Sequence, residues 1–274
     1  MPPPSRIVYS PKSQPRTPFP RKARYTLLAV LLAFLISGAL VYLARLDRLR
    51  VDQVELHGLV QLRDAAVASA VREAVGGTTW GFVPRDHFFL VSGEAIEHRL
   101  RGEFPQIRKI DVNKRFPDRL IATIEERMLW GVYCVGELPR VAARPCSYLD
   151  ENGTAYEELA YFEGWLLPVI YGAAAPEIGA AAVSRATIEF FEQARQALAD
   201  VGAYPLGLVL STSTPTDGAL RLAEGWQLLV VMDRPIPSWF DALETLLAAE
   251  IGARRQELEY IDLRFGNKVF YKYR

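Results

Sequence analysis

Three histidines and two cysteines are all that the 274-residue chain offers for metal or thiol chemistry. His57 falls in an extended run, His87 follows Asp86 in a connection, and His98 falls on a helical stretch; no HExxH spacing or two-histidine-plus-carboxylate cluster joins them. No GxSxG elbow is present. Glu125-Glu126 and Glu157-Glu158 are adjacent pairs, which strands place on opposite faces, so neither supplies the facing acid and base of glycoside hydrolysis. The glycines stand at turns and helix ends, without a GxGxxG or Walker loop for phosphates. The reading predicts no catalytic residues, no metal, no cofactor and no small-molecule substrate.

Cys134 and Cys146 are separated by eleven residues. That spacing lacks the CxxC arrangement of a redox pair, and fits either a structural disulfide across neighbouring strands or two buried free thiols. Closing so short a loop would contribute about 2 to 3 kcal/mol, less any strain.

Charge is unevenly distributed although Lys+Arg and Asp+Glu balance at 32 each. Residues 1–24 carry Arg6, Lys12, Arg16, Arg21, Lys22 and Arg24 with no acid, leaving a net −6 on the remainder. The leader's seven prolines oppose a helix and predict a disordered cytoplasmic tail over 1–24. Tyr25 to Ala44 is twenty residues without a charge, about 30 Å as a helix, and reads as a single transmembrane span. The positive-inside rule then keeps 1–24 in the cytoplasm and sends 45–274 across. A cleaved signal peptide is the rival reading, but its small-x-small site, Ser37-Gly38-Ala39, lies inside the apolar run. Nucleic-acid binding is disfavoured, because residues 129–274 hold 12 basic against 19 acidic side chains.

The elements follow from periodicity. Val51 to Leu59 reads as a strand ending at Gly58, and Val67, Ala70, Val71, Ala74 and Val75 mark a helix stopping at Gly76-Gly77. An aromatic connection, Trp80 to Val91, offers a binding patch, but small domains tuck such residues over the core and packing is the expectation. Ser92 then caps a second helix carrying Ile96 and Leu100, and Ile107–Val112 and Leu120–Glu126 form a hairpin around Phe116-Pro117-Asp118-Arg119. Asp150-Glu151-Asn152-Gly153 predicts a tight hairpin turn. Ile188 to Val201 reads as an amphipathic helix, followed by strands at 206–210, 219–223 and 226–232. A helix opening at Pro237 with Ser238 as N-cap and Asp241 three residues on precedes a last strand, Leu258 to Phe265, which continues past Gly266-Asn267 to Tyr273.

The order strand, helix, helix, strand, strand behind a membrane span resembles a POTRA domain, a module that binds polypeptides outside the cytoplasm. Phe104-Pro105-Gln106-Ile107 through Val112, Arg115-Phe116-Pro117-Asp118-Arg119-Leu120 and Ile124-Glu125-Glu126-Arg127 resemble the corresponding run of the bacterial division family FtsQ, also called DivIB. Tyr148-Leu149-Asp150-Glu151-Asn152-Gly153 and Tyr260-Ile261-Asp262-Leu263-Arg264-Phe265 resemble two further family segments. The resemblance implies an α+β chain: one transmembrane helix (25–44), a β-α-α-β-β POTRA domain (51–127), and a mixed sheet with packed helices, the β domain (128–274). It implies a non-enzymatic scaffold of the divisome at the septal plasma membrane.

An exposed last strand offers unpaired backbone groups to an extended partner. In the family, the last strands and the preceding helix receive a segment of the coiled-coil protein FtsB, itself paired with FtsL. Carried to this sequence, Arg264 would pair a partner carboxylate, Phe265 would supply the aromatic position after it, and Val269, Phe270, Tyr271, Lys272 and Tyr273 the receiving strand. Arg264 has an internal alternative in Asp262 or a nearby acid, and Lys268 and Lys272 also suit protection of an edge. Val54 to Leu59 offers a second candidate edge. A POTRA-bearing component of secretion or envelope assembly is the first alternative, favoured if 129–274 forms a barrel or further POTRA repeats; an anchored peptidoglycan hydrolase is another.

Overall fold

A computed structural model describes residues 21–43, 47–79, 83–136, 145–159, 166–266 and 268–274. Of the disordered tail expected over 1–24, residues 1–20 lie outside the described residues, as do Trp80, Phe82, most of the loop between the cysteines, and Asn267, whereas Arg21 to Arg24 are helical and correct that expectation: no proline follows Pro20, so the helix runs back from the apolar stretch. Helix α1, Arg21–Leu43, covers the uncharged run, and its apolar side chains, among them Leu27, Leu31, Phe34 and Leu35, are exposed. Four residues of α1 (Arg21, Ala23, Leu40 and Leu43) fall outside those whose side chains are described, leaving 24–39 as the uninterrupted stretch. Among the described residues no helix is long and apolar enough to cross a membrane.

Strand β1, Gln53–His57, opens the next unit; α2, Asp64–Val75, follows, and then the short strands β2, Thr78–Thr79, and β3, Val83–Pro84. Helix α3, Gly93–Glu103, and strands β4, Ile107–Arg115, and β5, Arg119–Glu126, complete it. The sheet order is β1-β5-β4, with β1 parallel to β5 and β5 antiparallel to β4. Alternation places Ile110 and Val112 of β4 and Leu120, Ala122 and Ile124 of β5 inward. Val67, Ala70, Val71, Val75, Ile96 and Leu100 of the two helices close over them. Ser92 caps α3, its hydroxyl accepting from Ala95 N at 3.3 Å. Gly58, at φ +86°, turns the chain where any Cβ would drive into the carbonyl oxygen of Ile124. Beyond it, Glu126 accepts from the amides of Val60, Gln61 and Leu62 at 2.8 to 3.1 Å.

The second sheet has nine strands. They are β6, Leu129–Val135; β7, Cys146–Asp150; β8, Ala155–Leu159; β9, Val169–Gly172; β10, Pro205–Leu210; β11, Asp217–Leu222; β12, Gln227–Val231; β13, Leu258–Phe265; and β14, Lys268–Tyr273. Their order, β14-β13-β12-β11-β10-β9-β6-β7-β8, is open at both ends, neither a closed barrel nor a repeat of the first unit. Helices α4, Arg185–Asp200, and α5, Pro237–Leu246, pack on one face. Phe191, Leu198, Leu208, Leu220, Trp226, Leu228, Leu243 and Ile261 meet there without solvent contact. Strands β6 and β9 were not expected from sequence, since β6 buries four residues in a row and β9 all four of its residues, which leaves no alternation.

Two local expectations are corrected. Ser238 is not an N-cap: α5 starts at Pro237 after Ile236, and the Ser238 hydroxyl donates to Pro235 O at 2.6 Å. Proline's fixed φ opens the helix early and leaves Ser238 inside the first turn. The aromatic connection is not tucked over the core at Phe89, which is 66% exposed; that segment bonds instead to the residues leading into β1.

Buried charge joins the two sheets. Asp150 is fully buried and receives Arg127 Nη1 at 2.6 Å, while its other oxygen accepts from Asn152 N at 2.9 Å and Thr154 N at 2.8 Å. Arg127 also donates through Nε to Pro105 O at 2.8 Å. Nearby, Arg108 links Glu125 of β5 to Glu151 of the β7–β8 turn, and its pKa is raised chiefly by the hydrogen bond to Glu125. The turn predicted from Asp150 to Gly153 thus also fastens one unit to the other.

Candidate partner-binding edge

Strand β14 is one of the two edges of the large sheet, so one row of its backbone N–H and C=O groups faces no strand among the described residues. Its inner side pairs with β13 in the register Ile261 to Tyr271 and Asp262 to Phe270. The strand is held straight at its end by Arg274, whose amide donates to Glu257 O at 2.9 Å and whose guanidinium donates to Gly225 O at 2.6 Å.

The pleat divides the side chains. Val269 and Tyr273 lean on the helix-side core, and Tyr271 shares that face. Between this face and α5 runs an open groove of about 480 Å³, lined by Asp241, Ala242, Thr245, Leu246, Ala249, Glu250, Val269 and Tyr271. Tyr271 donates its hydroxyl to Glu250 Oε2 at 3.1 Å, and this bond raises the phenol's pKa. Small Ala242 and Ala249 leave the groove its depth. On the opposite face Lys272 pairs with Glu259 at 2.6 Å, which raises its pKa, and Phe270 stacks edge-on against Phe265 at 5.4 Å. Phe265 and Phe270 are 56% and 49% exposed, so the apolar pair faces water.

Arg264 is engaged within the chain. Its Nε and Nη2 donate to Asp262 at 2.9 and 2.7 Å, and Nη1 to Asp217 of β11 at 3.1 Å. The hydrogen bond to Asp262 is the main cause of a raised pKa, and a third of the side chain stays exposed. This is the internal pairing that sequence left open. The guanidinium also lies 5.8 Å from the Phe265 ring.

Phe265 and Val269 to Tyr273 are thus brought together on one edge with Arg264 behind them. Sequence pointed to the preceding helix only through the family resemblance and named none of its residues on the α5 side of the groove. Its signal is the spacing of Asp241, Thr245 and Ala249 at four-residue intervals, opposite the buried Leu243, Leu247 and Ile251. Strand β1 is likewise an edge, of the smaller sheet.

Cys134 and Cys146 face each other across β6 and β7 and form a disulfide, S–S 2.04 Å, with both residues buried. The histidines are dispersed: His87 is buried in a loop, whereas His57 and His98 are exposed. Among the described residues no group of His, Cys, Asp and Glu is arranged to hold a metal ion.

A β-α-α-β-β unit fastened to an open mixed sheet defines a POTRA-bearing α+β protein, organised around backbone edges and exposed side chains. Residues 49–127 match the family model described as the POTRA domain of FtsQ type. The match covers the first of the two units and identifies a POTRA domain there. No curated protein matches the chain.

Proposed function

We propose that the protein is a non-enzymatic, single-pass scaffold of the divisome that gathers septal cell-wall synthesis proteins on its extracytoplasmic side. Its partners in this reading are FtsB-like and FtsL-like coiled-coil proteins, taken up at β14. The observation that carries the reading is the unpaired edge of β14 beside a groove walled by α5. A partner strand laid along that edge gains backbone hydrogen bonds, while its alternate side chains enter the groove. Phe265 and Phe270 offer an aromatic anchor at the strand's start. Arg264 positions the end of β13 through Asp262 and Asp217, and its exposed third is open to a partner carboxylate.

The division of the chain is proposed as a cytoplasmic tail (1–24), a span (25–44), a POTRA domain (51–127) and a β domain (128–274). The uncharged run from Tyr25 to Ala44, the basic residues before it, and the exposed apolar side chains of α1 support the span. Placement at the septal plasma membrane is part of the same proposal and rests on the resemblance to the FtsQ/DivIB family.

Phe265→Asp tests the site. It puts a charge into the exposed aromatic pair without touching the core, so capture of the FtsB-like protein by the 45–274 ectodomain should be lost while its circular dichroism stays unchanged. Undiminished capture would sink the assignment.

A further inference from the structure

We infer that the aromatic end of the POTRA unit lies against the headgroup zone of the lipid bilayer, holding the unit down on the membrane from which the chain emerges. The inference rests on the reading of residues 25–44 as a span. Its ground is where the register places three phenylalanines. Gln53 of β1 pairs with Arg119 of β5, and Arg119 pairs with Arg115 of β4, so the first residue of β1 and the β4–β5 turn share one end of the sheet. The amides of Asp52 and Gln53 donate to Asp118 O in that turn. The segment before Val91 is drawn to the same end: Val51 N donates to Asp86 O at 2.8 Å, Phe88 N to Leu49 O at 2.7 Å, and Arg50 pairs with Asp86 at 2.7 Å.

Phe88 consequently meets Phe116 edge-on at 5.7 Å and Phe89 at 5.5 Å. Phe89 and Phe116 are each 66% exposed and Leu90 is 48% exposed, an apolar cap open to its surroundings apart from the His87 ring beside Phe89 and the Lys114 ammonium over Phe88. Leu49 follows Ala44 by five Cα–Cα steps, at most about 18 Å of chain, so the cap cannot move far from the end of the span. Arg48, Arg85 and Arg115 are exposed around it, and Lys114 reaches the carbonyls of Phe88 and Val91. Asp47, Asp52, Asp86 and Asp118 are the acids at this end, of which Asp86 is paired to Arg50. Rings flanked by cations beside a span match the composition of a headgroup zone, where rings bury their faces and cations meet lipid phosphates. The chain length from the span singles out lipid as the occupant.

The test uses the full chain reconstituted in phosphatidylcholine vesicles containing phosphatidylglycerol. An environment-sensitive fluorophore is attached at Phe89→Cys, at Phe116→Cys, or at Val60→Cys, with the native cysteines occupied by their disulfide. Val60 is 85% exposed beside Glu126, about 23 Å away along β5. The expected result is blue-shifted emission, quenched by brominated lipid, from positions 89 and 116, with position 60 as in water. Emission from 89 and 116 as wet as from 60 overturns the inference, and so does a shift seen in native membranes but absent from pure lipid, which assigns the cap to a protein. Carbonate extraction distinguishes the two levels: a chain that leaves the vesicles overturns the span and this inference together, whereas a retained chain with wet labels overturns this inference alone.

Discussion

Asp150 shows at the residue scale how one side chain serves two purposes. Sequence identifies it as a turn former, and the turn is there, with Gly153 at φ +81°. Its ion pair with Arg127 was not legible, because the partner lies 23 residues away and belongs to the other sheet's final strand end. Replacing Arg127 by Met leaves a buried carboxylate held by two amides alone. The expected cost is about 3 kcal/mol in urea unfolding of the ectodomain; a loss under about 1 kcal/mol would show the pair to be dispensable.

Tyr156 supplies a pH signature. Burial pushes its hydroxyl up to about 12, with Glu157 adding to the shift. A raised folded-state pKa favours the protonated phenol, so its contribution is complete below about 10, the unfolded value, and is lost as pH climbs toward 12. Tyr133 is shifted the same way by burial. Urea midpoints measured between pH 9 and 11.5 should therefore fall with pH, and Tyr156→Phe should make that fall shallower; an unchanged slope would contradict the assignment.

Elements with a clear period were readable, and those without one were not. Helix α4 and strands β4 and β5 lie where spacing put them, because each buries one face only. Strand β6 buries Gly131 to Cys134 consecutively and β9 all four of its residues, so neither leaves an alternation to read. Start signals also needed context. Ser184 caps α4 by accepting from Thr187 N at 3.2 Å, whereas Ser238 has no capping bond. Ser184→Ala should cost about 1 kcal/mol in thermal or urea unfolding and Ser238→Ala only a few tenths; equal costs would contradict the assigned start of α5. The candidate edge was legible as a strand and as a family resemblance, but its groove was not, since it forms only when α5 folds back beside β14.

The whole molecule has a direction. Residues 49–53 and the phenylalanine cap stand at one end of the small sheet, Arg127 and Asp150 fasten its other end to the large sheet, and β14 lies at the far side of that sheet's strand order. Such a layout presents a receiving strand at a fixed place relative to the POTRA unit, which suits a scaffold. The large sheet has two edges, β14 and β8, and only the first is flanked by the α5 groove. The most direct measurement is photo-crosslinking in native membranes from a photoreactive residue installed at Tyr271, with Glu157 of β8 as the control. The account predicts adducts with an FtsB-like coiled-coil protein from position 271 and none from 157; adducts from 157 with none from 271 would contradict it.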